Sequence, residues 1–254
     1  KIFLEPESRN YLIPINYQYQ LSSAVYKIIR NGSEEYANWL HEVGFTDETG
    51  KKMKFFTFSN LYFENYKVLG DTIRTEGNAY YYFSTPYETK SADVFVKGII
   101  SNQRLVLNFS KNQLLFKIKS VEMIKKPDFA AEMEYKTITP VTVSTMIEIN
   151  DMPKVHYIRP NENGFIEAIK RNLLRKYKLL YGYDYLDVLN ISFIESKKIY
   201  SKLIHIKEGR NDESQIKGFI MYLKIECSKD IHQLIYDVGL GNLNSQGFGM
   251  VEII

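Results

Sequence analysis

The sequence predicts an α+β protein built from two tandem ferredoxin-like (RRM-like, βαββαβ) domains. Three observations lead to this fold class. The order strand, helix, strand, strand, helix, strand can be followed through the first half of the chain and again through the second. The helical segments carry apolar residues at a 3.6-residue period. The 20 Tyr and 15 Phe among 254 residues suit half-buried sheet surfaces.

The first half begins with an extended apolar segment, Lys1 to Glu7. A helix is predicted after Pro14 because apolar residues recur at helical spacing: Leu21, Ala24, Val25, Ile28 and Ile29. Asn31-Gly32 ends this helix, and Ser33 is expected to cap a second, short helix. The remaining predicted elements are strands at Lys54–Phe63 and Tyr80–Ser84, a helix at Ala92–Ile100, and two strands within Arg104–Ile124 separated by a Ser-Lys-Asn turn. The loop between the first two of these strands, roughly Asn65 to Asn78, has no predicted role.

The second half repeats this order of elements. Strand character covers Thr137–Ile149, interrupted by Pro140, and returns at Val188–Ile194 and across Lys202–Cys227. The amphipathic helix between them, residues 165–180, turns five residues inward: Phe165, Ile169, Leu173, Tyr177 and Leu180. A last helix has one apolar face, formed by Ile231, Leu234, Ile235 and Val238. A closing strand is predicted at Gly249–Ile254.

The two units are expected to join near Lys125 to Tyr135, which gives domains 1–124 and 125–254. Their sequences are not detectably alike, so the repeat is one of element order. A single larger α+β domain stays open as an alternative.

Charge and cysteine content place limits on the function. The net charge of +3 gives no global basic field, but the stretch from Lys154 to Lys178 carries seven basic residues against Glu162 and Glu167. With Cys227 alone, no internal disulfide or thiolate metal cluster can form, which favours a cytoplasmic protein. No apolar run reaches the ~20 residues needed to span a bilayer.

A glycine segment, Gly239 to Gly249, has the pattern G-x-G, five residues, G-x-G. Glycines placed in this way allow positive φ and a close approach of backbone N–H groups to an anion. The segment is not a P-loop, because no Gly-Lys-Ser/Thr follows. It is not a dinucleotide fingerprint, because it follows a predicted helix and position 244 is Asn. A glycine-rich hairpin that closes a small sheet is the alternative.

The glycine segment with its flanks, Val238 to Val251, resembles the CRISPR-associated repeat-RNA endoribonucleases, the Cas-six (Cas6) family. Two earlier segments, Leu12-Ile-Pro-Ile-Asn-Tyr17 and Leu21-Ser-Ser-Ala-Val-Tyr26, are similar to that family's entry into its first helix. Trp39-Leu-His41-Glu, followed by Lys54-Phe-Phe-Thr-Phe-Ser, resembles its active-site region. Since these segments occur in the family's order, the resemblance covers essentially the whole chain.

The resemblance implies metal-independent cleavage of CRISPR precursor RNA within its repeats. A 2′-hydroxyl attacks the adjacent phosphate and leaves a 2′,3′-cyclic phosphate and a 5′-hydroxyl. The family's tyrosine, histidine and lysine correspond to Tyr26, His41, and Lys54 or Lys52. Neither a metal nor a cofactor is expected, and the residues agree, because no carboxylate or His/Cys cluster has metal-ligand spacing.

The placement of these side chains is compatible with such chemistry. Tyr26 lies about 130° from the centre of its helix's apolar stripe at ~100° per residue, near Arg30. His41 is displaced from the stripe of its own helix and lies near the helix C-terminus, where the dipole favours an imidazolium and an acid role. Lys54 could stabilise the charged phosphorane. Ordinary surface positions are the alternative for each, and Lys52 could be a solvated loop charge. His232 is expected on the exposed face of the last helix.

The RNA contacts predicted from the sequence come from both domains. Arg171, Arg175 and Lys178 follow at i, i+4 and i+7 and form one basic helix face, whose alternative is a solvated exterior. The remaining predicted contacts are Arg30 and the glycines Gly239, Gly241, Gly247 and Gly249. Members of the family often carry a Lys or Arg within the loop, whereas residues 242–246 here have no charge.

Two functions stay open from the sequence. The first is a catalytic repeat-RNA endoribonuclease. The second is a non-catalytic RNA-binding relative that holds CRISPR RNA in an effector complex. The expected partner is CRISPR repeat RNA. Effector subunits and a homodimer are further possible partners, and no membrane association is expected.

Overall fold

The computed structural model describes residues 1–110, 112–149, 151–207 and 213–254. Lys111 of the predicted Ser-Lys-Asn turn lies outside the described residues. So do residues 208–212 of the strand region predicted at 202–227. Elsewhere the predicted order of elements is recovered, and the α+β class with two ferredoxin-like units is confirmed.

The first unit contains ten strands and three helices within its described residues. The strands are β1 (Ile2–Pro6), β2 (Asn10–Pro14), β3 (Phe45–Thr46), β4 (Lys52–Met53), β5 (Thr57–Phe58), β6 (Tyr62–Leu69), β7 (Thr72–Tyr81), β8 (Phe83–Ser84), β9 (Arg104–Asn108) and β10 (Gln113–Val121). The helices are α1 (Gln18–Gly32), α2 (Glu34–Glu42) and α3 (Ser91–Ser101). Ser33 caps α2 as predicted, because its hydroxyl accepts a hydrogen bond from the Tyr36 amide at 3.1 Å.

The main sheet of the first unit has the ferredoxin-like strand order β10-β1-β7-β6, with β9 added beside β10. The stretch 72–76 of β7 pairs with both β2 and β6, so β2 continues the line of β1 along one side of β7. Helices α1 and α3 cover one face. They cross closely, since a Cβ on Gly98 would lie 1.9 Å from the carbonyl oxygen of Ile28.

The second unit repeats this plan. Its strands are β11 (Glu132–Thr137), β12 (Ser144–Ile149), β13 (Met152–Tyr157), β14 (Asn190–Phe193), β15 (Tyr200–Ile206), β16 (Ser214–Ile220), β17 (Tyr222–Glu226) and β18 (Val251–Ile253). Helices α4 (Phe165–Tyr181) and α5 (Lys229–Val238) accompany the sheet β14-β17-β11-β18. The hairpins β12–β13 and β15–β16 are additions to the ferredoxin-like plan. The two main sheets end at Val121 and begin at Glu132, and a domain boundary at 124/125 stays a prediction.

Three parts of the predicted strand pattern are wrong. The first sheet strand of the second unit is β11, which ends where the predicted strand 137–149 begins, and only residues 144–149 of that prediction form a further strand. Residues 54–63 form strand only at Thr57–Phe58 and from Tyr62 onward. This segment runs between two cores: Phe55 belongs to the second unit's apolar cluster and Phe56 to the first unit's. Its aromatic residues therefore reflect burial on both sides and not sheet pairing. The predicted loop at 65–78 instead forms most of the β6–β7 hairpin, in which β6 is an edge strand with mostly exposed side chains.

An ion pair joins the segment between the two units to α5. The Lys126 ammonium lies 2.6 Å from the carboxylate of Asp237, whose side chain is 2% exposed. Burial raises the pKa of Asp237 to about 6, although Lys126 acts in the opposite direction. Between about pH 4 and pH 6 the unfolded chain has therefore lost a proton that the folded chain keeps, so this group's contribution to stability falls as the pH rises through that range.

We expect Asp237→Asn to remove this pH dependence. The free energy of unfolding of the variant, relative to the wild type, should rise by up to about 3 kcal/mol between pH 4 and pH 7. Urea unfolding at a series of pH values measures the difference. Asp128→Asn, which replaces an exposed carboxyl of the same connecting segment, is the matched control. A difference between Asp237→Asn and the wild type that stays constant from pH 4 to pH 7 would contradict the assignment.

Candidate functional site

Tyr26 lies on α1 at the boundary between the two units. Its ring packs edge-on against Phe56, with 5.5 Å between the ring centroids. The side chain of Ser245, in the glycine segment, lies beside the Tyr26 hydroxyl. Burial raises the pKa of Tyr26 to about 12, which keeps the phenol neutral near pH 7. The predicted displacement of Tyr26 from the apolar stripe thus turns it toward the second unit and not toward open solvent.

Lys54 lies against Tyr26. The Lys54 amine is 4.8 Å from the centroid of the Tyr26 ring, within the range of a cation–π contact. Burial lowers the pKa of Lys54, and the nearby charge of Lys52 lowers it further. A lysine amine close to a tyrosine ring can place positive charge and hydrogen-bond donors at an anionic group.

His41 and Lys52 lie at the C-terminal end of α2. His41 is exposed in the last turn of α2, near the helix C-terminus as predicted. The Lys52 amine donates a hydrogen bond to the carbonyl of Glu42, the residue that follows His41. The hairpin β3–β4 runs between His41 and Lys54. It therefore connects the end of α2 to the face of α1 that carries Tyr26.

The glycine segment packs against the first unit. The side-chain amide of Gln18 on α1 donates to the carbonyls of Gly247 at 2.6 Å and Gln246 at 3.1 Å. The Ser22 hydroxyl donates to the Ser245 carbonyl at 3.3 Å, and the Thr57 hydroxyl donates to the Phe248 carbonyl at 3.1 Å. The loop between α5 and β18 is thus an interface between the units, with carbonyl oxygens as its acceptors.

All four glycines of the segment are buried. Three of their amides donate within the protein: Gly239 to Ile235, Gly247 to Asn244 and Gly249 to Pro140. Those three N–H groups have no hydrogen left for a phosphate. Direct contact of the four glycines with RNA stays a prediction, and the geometry favours a role in shaping the loop. The hairpin alternative is met only in part: Leu240 and Gly249 share a backbone hydrogen bond, but a short 3₁₀ turn at Asn244–Gln246 intervenes.

The predicted basic face of α4 divides into two groups. Arg175 pairs with Asp47 at 3.0 Å, and Lys178 lies 3.2 Å from Glu48 and 3.3 Å from Asp184. Asp47 and Glu48 belong to the β3–β4 hairpin, so these pairs hold that hairpin to the second unit. Arg171 is exposed and forms no ion pair within the described residues. Arg30 is exposed in the last turn of α1.

His232 is not on an exposed face, contrary to the prediction. It is fully buried, its Nδ1 lies 2.8 Å from the Tyr135 hydroxyl, and its Nε2 lies 3.3 Å from the Ala131 carbonyl. One partner lies on β11 and the other immediately before it, so both ring nitrogens can be satisfied inside the protein and the ring can be buried. Helical periodicity alone places this side chain on the solvent-facing side of α5. Burial lowers the pKa of His232.

Lys176 is the residue of this region that the predicted sites omit. It is 3% exposed, and its amine contacts three oxygens of the glycine segment: Gly239 O at 2.9 Å, Gly241 O at 2.9 Å and Asn244 Oδ1 at 2.7 Å. A signal was present, because Lys176 follows Leu173 by three positions and so interrupts the apolar stripe of α4. Asn172, also on that side, is buried and donates to the Asn242 side chain at 2.8 Å.

The fold and this region together define a tandem ferredoxin-like protein whose candidate site lies where a C-terminal glycine-rich loop meets the first helix. Residues 12–121 match the family model described as CRISPR-associated protein Cas6, N-terminal. Residues 122–253 match the model described as CRISPR associated protein Cas6, C-terminal. The chain belongs to the Cas6 family, and the resemblance noted from the sequence is confirmed.

The chain is 33% identical over 253 residues to the CRISPR-associated endoribonuclease Cas6 1 of Methanocaldococcus jannaschii, which covers 99% of this chain and 91% of that relative. It is 26% identical to the CRISPR-associated endoribonuclease Cas6 of Pyrococcus furiosus, over 98% of this chain and 86% of the relative. A solved structure of a CRISPR associated protein Cas6 superposes with a TM-score of 0.79 at 30% identity, over 100% of this chain and 98% of that one.

Two further observations concern the described residues alone. No helix among them combines the length and apolar character that crossing a bilayer requires. No group of three or more His, Cys, Asp or Glu side chains in these ranges is arranged to hold a metal ion. A cytoplasmic location stays a prediction.

We expect Gly247→Ala to loosen the contact between the glycine segment and the first unit. Gly247 has a φ of +81°, and a Cβ there would lie 2.6 Å from the Phe58 ring. Gly182→Ala is the matched control, because Gly182 has a φ of +85° but nothing within 4 Å of its Cβ position. Both variants pay the cost of the left-handed conformation, so Gly247→Ala should lose about 1–3 kcal/mol more of unfolding free energy than the control. Equal losses in chemical denaturation would show that the contact does not constrain the loop.

Proposed function

We propose that this chain is an endoribonuclease that processes CRISPR RNA by cutting within the repeats. The support is membership of the Cas6 family across both halves, with relatives named CRISPR-associated endoribonucleases. The observation that carries the proposal is the contact of the Lys54 amine with the ring of Tyr26, whose hydroxyl lies beside Ser245 of the glycine segment.

The proposed reaction is a transesterification. The 2′-oxygen of the nucleotide before the cut bonds to phosphorus, the bond from phosphorus to the 5′-oxygen breaks, and the products are a 2′,3′-cyclic phosphate and a 5′-hydroxyl. One proton leaves the 2′-hydroxyl and one is delivered to the 5′-oxygen. Positioned acid and base groups each contribute about 10²–10⁴-fold to such a step.

The three side chains differ in what they can supply. With a pKa raised to about 12, Tyr26 acts as a neutral hydrogen-bond donor and not as a base. Histidine as a residue type exchanges protons near neutral pH, so His41 is assigned to proton transfer. Lys54, beside Tyr26, is assigned to the charge that develops on the phosphate. Lys52, whose amine contacts the end of α2, is the second candidate for that charge.

The proposed substrate is RNA that carries a CRISPR repeat, and no metal or cofactor enters the mechanism. Subunits of an effector complex and a second copy of the chain stay predictions as partners.

Cleavage in the presence of excess EDTA tests this proposal. The wild type should cut repeat-containing RNA once and leave a 2′,3′-cyclic phosphate, detected by mass spectrometry of the product. His41→Ala should lower the single-turnover rate by about 10²–10⁴-fold and leave RNA binding intact. Lys54→Met should lower the rate more than Lys52→Met, with Lys229→Met, an exposed lysine of α5, as the unaffected control.

Three outcomes of this assay contradict separate parts of the proposal. Binding without cutting would favour the non-catalytic relative that holds CRISPR RNA. Cutting that EDTA abolishes would overturn the metal-independent mechanism. A larger loss in Lys52→Met than in Lys54→Met would exchange the roles of the two lysines.

The ion pairs of α4 predict unequal contributions to RNA binding. Arg171 forms no ion pair in the described residues, whereas Arg175 pairs with Asp47. Arg171→Met should therefore weaken RNA binding. It should also reduce the magnitude of the slope of the logarithm of the association constant against the logarithm of the salt concentration by about 1. Arg175→Met should lower the unfolding free energy and change that slope less. Filter binding between 50 and 300 mM salt measures both slopes. Equal changes in the two variants would mean that RNA displaces Asp47 from Arg175.

A further inference from the structure

Lys176 is a buried cation held by the glycine segment. Its ammonium has three hydrogens, and three oxygens surround it at 2.7–2.9 Å: two backbone carbonyls and the side-chain oxygen of Asn244. No carboxylate pairs with it in the described part of the chain. Burial lowers the pKa of Lys176 to about 7, whereas three acceptors for three donors favour the charged form.

A buried ammonium has an unfavourable desolvation free energy unless protein oxygens replace its water. Burying a charge without a counter-ion is strongly unfavourable, and hydrogen bonds to oxygens must offset that cost. The three oxygens come from Gly239, Gly241 and Asn244, which are separated along the loop. The Lys176 amine therefore connects Gly239, at the start of the loop, to Asn244, near its middle, and acts as a noncovalent crosslink.

Asn244 extends this crosslink to the rest of the loop. While its oxygen accepts from Lys176, its side-chain nitrogen donates to the carbonyls of Leu240 and Phe248, each at 3.0 Å. Both polar atoms of the amide are thus used, and Asn244 is 5% exposed. The path of the backbone from Gly239 to Phe248 depends on one amide group oriented by one ammonium.

The next residue is the one that touches Tyr26. The Ser245 carbonyl accepts a hydrogen bond from Ser22 on α1 at 3.3 Å, and the Ser245 side chain lies beside the Tyr26 hydroxyl. A shift of the loop backbone at Asn244 would move Ser245 directly. The position of the phenol therefore depends on Lys176 through Asn244 and Ser245.

We propose that Lys176 is a positioning residue for the cleavage reaction: its buried ammonium fixes the glycine segment so that Ser245 holds the Tyr26 phenol in place. The inference rests on the proposed function of Tyr26. Lys176 does not touch the RNA, so its loss should slow cleavage without weakening RNA binding.

The test compares single-turnover cleavage and RNA affinity in four proteins. Lys176→Met keeps the chain length and removes the ammonium, and should lower the cleavage rate at least about tenfold while Kd changes by less than about threefold. Ser245→Ala leaves the three hydrogen bonds of the Lys176 amine intact and should lower the cleavage rate by about threefold or more. Lys229→Met is the matched control for the loss of a lysine. Thermal unfolding establishes a temperature at which each variant stays folded.

The double variant Lys176→Met/Ser245→Ala distinguishes a shared route from two separate effects. If Lys176 acts through Ser245, the double variant should cut within about threefold of Lys176→Met alone. Rate losses that multiply would overturn the inference. Wild-type rates in Ser245→Ala would overturn it as well, and that measurement is available even if Lys176→Met does not fold.

The two proposals can fail separately. A wild type that does not cut overturns both. A Tyr26→Phe variant that cuts at the wild-type rate removes the role of Tyr26 and, with it, the route from Lys176. Slow cutting in Tyr26→Phe together with wild-type cutting in Lys176→Met overturns the positioning role alone.

Discussion

The glycine segment meets helix α1 and strand β5 through hydrogen bonds that run in one direction, from side chains of the first unit to backbone carbonyls of the second. Gln18, Ser22 and Thr57 are the donors. A buried acceptor that loses its donor costs about 1–3 kcal/mol, and these bonds form only if the loop keeps one backbone path. Tyr26 and Ser245 meet inside this contact. The candidate site therefore exists because the two units are docked in this way.

The loop keeps that path because of a buried charge and several residues without side chains. Gly249 has a φ of +73°, and a Cβ there would lie 1.9 Å from the Leu240 carbonyl, so a larger residue would not fit. The space that the glycines leave is occupied by backbone and by the side chains of Val141, Phe58 and Asn244. A lysine suits position 176 because an ammonium is compact and offers three donors in a pyramid, whereas a guanidinium is a planar fork.

Helix α4 connects the second unit to both parts of the candidate site. Lys176 faces the glycine segment, and the preceding residue, Arg175, pairs with Asp47 at the tip of the hairpin between His41 and Lys54. Asp47 also accepts hydrogen bonds from the Thr49 hydroxyl and from the Thr49 and Lys51 amides, which lower its pKa and keep it charged. Two adjacent residues of one helix thus hold the loop and the hairpin.

The sequence by itself determined the element order, the helices, the cap at Ser33 and the family, because periodicity, capping and glycine spacing are local patterns. The predicted sites omit Lys176, although its charge interrupts the apolar stripe of α4. Only the tertiary structure decided where each apolar face goes. Periodicity shows which face of an element is buried but not which residues bury it. Only the structure shows that residues 54–63 run between two cores and that the His232 ring is buried. The contact of Tyr26 with Ser245 joins distant parts of the chain, and no local spacing encodes it.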